Sequence, residues 1–233
     1  MNFRQYVKNR ETPLARFAYA VYRSLTRFEM PAPKSVWKPI YMVHKGVVSF
    51  FTLLVQRCYF LPLFKSCCQN SPARLHLYTG MPLIMGNLSI EMGDDCRVSG
   101  VTTFSGRASA SQTPQLIVGN NCDIGWQNQI SVGTRVVLGD NVRLAPRVML
   151  AGYPGHPIDR KDRAAGLPET DDQVGDIILE DDVWLATGVT VLAGVTIGEG
   201  TIVGANSTVT GDLPPMCIAA GSPAKVVRRL DEA

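Results

Sequence analysis

Histidine, cysteine and charge are all scarce in this chain: 233 residues hold three histidines and six cysteines, and 18% are charged. The cysteines (Cys58, Cys67, Cys68, Cys96, Cys122, Cys217) show no C-x-x-C pairing. That argues against a disulfide framework and a cysteine zinc site, and makes a reduced, cytoplasmic chain the expectation. Long apolar runs are missing too. Residues 46–55 (GVVSFFTLLV) and 58–64 (CYFLPLF) are separated by Gln56 and Arg57, and neither reaches the roughly 18–20 residues of a spanning helix. The first run starts about 45 residues in and no small-residue cleavage site follows, which argues against a secretory signal. What is present is ordinary for a folded protein: 45% hydrophobic residues, enough to exclude disorder and build a core.

Charge is unevenly distributed. Residues 1–75 hold 12 Lys and Arg against Glu11 and Glu29, a balance of +10, while residues 76–233 hold 11 basic and 18 acidic residues, or −7. The net +3 is therefore a cancellation. A basic, apolar, helical extension over 1–75 is expected. It either lies at a membrane interface, with Lys and Arg on anionic headgroups, or packs as a cap on the remainder of the chain. Nucleic acid is not an expected partner.

Beyond residue 80 a period of six takes over. Aliphatic residues recur at Leu179, Leu185, Val191, Ile197, Val203 and Val209, with earlier ranks at Leu138, Leu144, Leu150, at Val118, Ile124, Ile130, and at Met92, Val98, Phe104. This is neither helical nor simple strand alternation, and it marks a repeat. Its physical reading is a mainly β solenoid of triangular section. One aliphatic per face points inward, and Gly, Ala, Asn and Asp serve the corners. Ranks beginning at 92, 118, 138, 179 and 197 imply about five coils.

The period is broken twice, near residues 105–115 and over the loop 151–176 (AGYPGHPIDRKDRAAGLPETDDQVGD). Long irregular loops in compact domains are usually functional or disordered. The second carries His156 between Gly155 and Pro157, with Asp159 and Arg163 following. A histidine in such a loop is a candidate general base, while His44 and His76, outside the repeat, read as structural.

The repeat, the segment His156-Pro157-Ile158-Asp159 and the ungapped stretch from Val183 to Leu230 (VWLATGVTVLAGVTIGEGTIVGANSTVTGDLPPMCIAAGSPAKVVRRL) resemble the hexapeptide-repeat acyltransferases of the galactoside and maltose acetyltransferase type. The wording VWLAT is nearest to colanic-acid-type polysaccharide O-acetyltransferases. The resemblance implies a left-handed parallel β-helix over 76–233, a homotrimer, and acetyl-CoA as co-substrate with no metal. By the same resemblance His156 is the general base, and Trp184, Thr187, Ala205, Pro223, Lys225 and Arg228 line the donor groove. Ser222-Pro223 reads as the start of a short terminal helix within the tail 214–233. Candidate acceptor contacts are Trp126, Asn128, Tyr153, Asp159 and Arg163; Asp159 either orients the imidazole, touches sugar hydroxyls or is solvated. A sugar hydroxyl of a glycan or polysaccharide precursor is the implied acceptor.

Two alternatives stay open. One is an acyltransferase with another donor such as acyl carrier protein, though only about twenty residues follow the last rank and such relatives usually add a helical domain. The other is a non-catalytic, membrane-associated β-helix scaffold. A cytoplasmic location, peripheral at the inner membrane face if residues 1–75 meet lipid, follows from the same reading.

Overall fold

The computed structural model describes residues 3–230. The chain divides into two compact units, residues 1–51 and 52–233. The second unit is built from parallel strands in three sheets, and each strand bonds to strands of the coils before and after it. One sheet stacks Ser89–Met92, Gln115–Val118, Arg135–Leu138, Ile177–Leu179 and Thr196–Ile197. The second begins at His76–Tyr78 and the third at Leu83–Met85. His76 thus sits in the first rung of a sheet, not outside the repeat.

Register explains the period. Met92, Val118, Leu138, Leu179 and Ile197 lie directly over one another on one face. Phe104, Ile130, Leu150, Val191 and Val209 do so on another. Every rank residue is at most 3% exposed. A side chain at an interior position of these ladders has a neighbour above, one below and the other two faces across, so only apolar residues fit. Leu150→Ala, with Ile130 and Val191 stacked on either side, is expected to lower unfolding stability by about 2–5 kcal/mol, measurable by denaturant titration followed by circular dichroism.

Corners are made by left-handed residues. Asp95, Asn121, Asn141, Asp182, Gly200 and Met216 form one column with φ between 51 and 68°, linked by amide-to-carbonyl bonds such as Asn121 N to Asp94 O and Asp182 N to Asp140 O, both 2.8 Å. Asn and Asp tolerate this conformation better than other side-chain-bearing residues, which is why they punctuate the repeat.

The C-terminal expectation is overturned. Ser222-Pro223 starts no helix; its peptide bond is cis and joins the antiparallel strands Cys217–Gly221 and Ala224–Arg229. The last rung leaves an open edge of backbone donors and acceptors, and the returning strand covers it.

The N-terminal segment is helical: α1 (Phe3–Asn9), α2 (Pro13–Thr26) and α3 (Lys34–Val55). Thr12 caps α2 by accepting the Ala15 amide at 3.2 Å, with Pro13 in the first turn. The two apolar runs are not separated after all. Gln56–Phe60 form a π turn leading into α4 (Leu61–Ser66), making one continuous 33-residue helix from Lys34 that is long and apolar enough, by length and composition, to cross a membrane. Gln56 and Phe64 are buried, Phe64 within the β-helix core, whereas every residue from 21 to 55 is exposed.

Candidate active site

Both interruptions of the period leave the coil at one corner. Gly152 opens the longer loop, its amide donating to Ser131 O at 2.8 Å, and a Cβ there would stand 2.7 Å from that same oxygen. Only glycine lets the backbone turn out so close to the rung beneath. The Gly175 amide then returns to Gly152 O at 3.1 Å, so the loop departs and rejoins at one point. Within it α5 (Arg160–Ala164) is capped by Asp159, whose Oδ1 accepts the amides of Lys161 and Asp162 at 2.7 and 3.0 Å. Asp159 therefore orders the loop and does not line the histidine's cavity.

That cavity is about 660 Å³. Its walls come from the loop (Tyr153, His156, Arg163, Glu169) and from the shorter insertion (Ser109 and its neighbours), with Met85 at the floor. His156 is exposed to it, and among the described residues its imidazole has no hydrogen-bond or ion-pair partner, leaving both ring nitrogens free for a ligand. Arg163 donates through Nη1 to the carbonyls of Pro157 and Ile158 at 2.9 and 2.8 Å, fixing the backbone just after His156. Tyr153 donates its hydroxyl to Ser105 Oγ at 3.3 Å.

Beneath the cavity lies a buried ion pair that sequence reasoning missed. Arg107 Nε meets Glu169 Oε1 at 2.6 Å, both side chains 5% exposed. Arg107 Nη1 reaches Asp171 at 2.7 Å, and Ser109 Oγ donates to Glu169 at 2.7 Å. Burial works against both charges. Hydrogen bonds to Asp171 and Glu169 nevertheless hold the Arg107 guanidinium above its ordinary value, and those from Ser109 and Arg107 hold the Glu169 carboxyl below its own. The available signal was charge complementarity: the single basic residue of the first insertion against an acidic end of the second.

Other predicted residues fall elsewhere. Asn128 is 2% exposed inside the coil, its Oδ1 accepting the Val148 amide at 2.7 Å. It is a buried corner residue whose Oδ1 is taken by backbone. Trp126 stands edge-on to Tyr78 with ring centroids 5.0 Å apart, and lines a separate, largely apolar hollow of about 520 Å³ with Arg143, Pro146 and Trp184. Neither tryptophan lines the His156 cavity.

The residues expected at the donor are partly united. Thr187 and Ala205 take the same corner of consecutive coils, Asn206 N donating to Thr187 O at 2.9 Å. Trp184 lies under Ile202, Ile202 under Ile218, and Ile218 pairs with Arg228. Lys225 pairs with Ala220, beside the same corner, and Pro223 is exposed in the hairpin turn. The cationic end of this row thus comes from the hairpin strand.

Three stacked parallel sheets, inward aliphatic ladders and corner residues of positive φ define a parallel β-helix. Residues 176–211 match the family model "Bacterial transferase hexapeptide (six repeats)". The chain is 35% identical over 115 residues to the galactoside O-acetyltransferase of Escherichia coli K12, a match spanning 49% of this chain and 54% of that protein. It is 34% identical over 137 residues to the polysialic acid O-acetyltransferase of Escherichia coli O1:K1, spanning 57% of this chain and 42% of that one. The chain spans about half the length of the relatives it matches first. Among solved structures, AntD, an N-acyltransferase from Bacillus cereus in complex with dTDP and 3-hydroxybutyryl-CoA, shares the fold at 17% identity, with a TM-score of 0.53 over 72% of this chain and 86% of AntD.

Proposed function

We propose that this protein transfers an acetyl group from acetyl-CoA to a hydroxyl of a sugar in a glycan or polysaccharide precursor, with His156 as general base. One observation carries the reading: two insertions interrupt the repeat at one corner, and together they build a cavity around a histidine with no hydrogen-bond or ion-pair partner among the described residues. The relatives named as sugar O-acetyltransferases support the same chemistry.

In this mechanism a ring nitrogen of His156 takes the hydroxyl proton as the oxygen attacks the thioester carbonyl. The tetrahedral oxyanion then collapses, the carbon–sulfur bond breaks, and the CoA thiolate recovers the proton from the imidazolium. Products are the acetyl ester and free CoA thiol, with no covalent enzyme intermediate. Tyr153 and Arg163 border the acceptor, Arg163 as a positioning residue through the loop backbone.

The His156 cavity and the Thr187–Ala205 corner share no lining residue within one chain. We therefore read the working unit as a homotrimer of left-handed coils, in which a neighbouring copy brings a donor corner to each histidine.

Thiol release from acetyl-CoA in the presence of candidate sugars tests the activity, and calorimetry with CoA separates it from a scaffold, which would bind none. Lys225→Ala and Arg228→Ala are each expected to raise KM for acetyl-CoA about tenfold, as loss of one charge-assisted phosphate contact would, with kcat nearly unchanged. An unaltered KM in both would remove the hairpin strand from the donor site.

A further inference from the structure

Helices α2 and α3 expose apolar faces that the proposed chemistry does not use. On α2, Leu14, Phe17, Val21 and Leu25 recur at spacings of three and four and are 68, 68, 41 and 73% exposed. At about 100° per residue they share one face, with Arg16 and Arg23 on the other side. On α3 the same geometry gathers Lys34, Lys38, Lys45, Ser49 and Thr52 into a stripe about 60° wide. Val36, Ile40, Val43, Val47 and Leu54 lie opposite, all exposed. No Asp or Glu occurs from residue 30 to residue 90.

We propose that α2 and α3 are a peripheral membrane anchor, lying in the plane of an anionic bilayer surface. Their apolar faces enter the acyl boundary and their Lys and Arg side chains reach the headgroups. Charge complementarity identifies the occupant. A protein partner would have to supply acids against a lysine stripe that has none of its own, whereas anionic headgroups supply them everywhere along the helix.

The charge pattern also selects lying on the membrane over crossing it. Lys38 and Lys45 interrupt α3 and would be drawn into the hydrocarbon by a span. The stretch 46–55 between Lys45 and the buried Gln56 is ten residues, about 15 Å of helix against a hydrocarbon core of about 30 Å. Beyond it Gln56 and Phe64 are already buried, Phe64 in the β-helix core.

Flotation of the full-length protein with phosphatidylcholine vesicles, with and without phosphatidylglycerol, tests this independently of any acetyltransferase activity. Binding is expected only with phosphatidylglycerol, weakening steeply with added salt and released by alkaline carbonate. Lys34→Gln, Lys38→Gln and Lys45→Gln together are expected to weaken partitioning on the order of a hundredfold, since each lysine near an anionic surface contributes roughly a factor of five. A second variant, Leu14→Gln, Phe17→Gln, Val21→Gln and Leu25→Gln, keeps good helix formers and is expected to stay in the soluble fraction with the circular dichroism spectrum of the parent. The proposal is overturned if the parent does not float or if the lysine variant floats like the parent. It fails equally if carbonate does not release the protein, which would mean a span. A change in oligomeric mass of the α2 variant with flotation intact would show a self-association face instead.

Discussion

His156→Ala is expected to slow acetyl transfer to a sugar hydroxyl by roughly 10²–10⁴-fold, the range a positioned general base contributes, while CoA affinity stays within twofold of wild type. The separation follows from the architecture. His156 projects from a loop that leaves the third sheet at Gly152, whereas Thr187, Ala205 and the Trp184–Arg228 row belong to corners and strands of later coils. Because the imidazole has no partner among the described residues, its removal breaks no contact that orders the loop. Folding, oligomeric mass and donor binding should therefore survive. His156→Gln, which keeps hydrogen-bonding capacity without the ability to take a proton at neutral pH, should be as slow as the alanine variant. Thiol release measured with a true acceptor decides the matter. A wild-type rate in either variant would sink the base assignment, and loss of CoA binding in both would mean that the loop helps to shape the donor site.

The coil was legible because its constraint repeats. Each rung must place an aliphatic residue inward and a left-handed residue at its corner, so Leu179 through Val209 announce the fold long before any contact is known. Non-repeating features were harder. Ser222-Pro223 suits both a helix start and a turn, and the choice was made by the open edge at Cys217–Gly221, which is invisible in a local window. Gln56-Arg57 looked like a break between two apolar runs, yet a π turn carries the helix through and buries Gln56. His156 was readable as a candidate because its loop interrupts the period. Tyr153 and Arg163 came with it. A corner asparagine bonded to backbone, as Asn128 is, and an asparagine facing a ligand look alike in sequence. Arg107 and Glu169 were missed because nothing local connects residues 62 positions apart.

Arg107→Met is expected to destabilise the protein by about 3 kcal/mol, near the lower end for breaking a buried ion pair, because Asp171, the guanidinium's other partner, is itself 90% exposed. The cost arises from Glu169, left charged at 5% exposure with Ser109 as its remaining side-chain donor. Since the pair ties the shorter insertion to the histidine loop, hydrogen exchange over residues 153–174 should accelerate together with 107–114, while the strands around Leu150 and Val191 keep their relative protection. The double variant Arg107→Met with Glu169→Gln should recover most of the loss, because no buried charge remains and the glutamine still accepts from Ser109. The pH dependence has a definite sign. The folded-state carboxyl of Glu169 titrates below its ordinary value, so its contribution is fully present above an unfolded value of about 4.3 and is lost as pH falls through the lower, folded one. Wild type should therefore lose melting temperature below that point more steeply than the double variant. Parallel acid profiles for the two proteins would show that Arg107 and Glu169 do not hold the histidine loop through their charges.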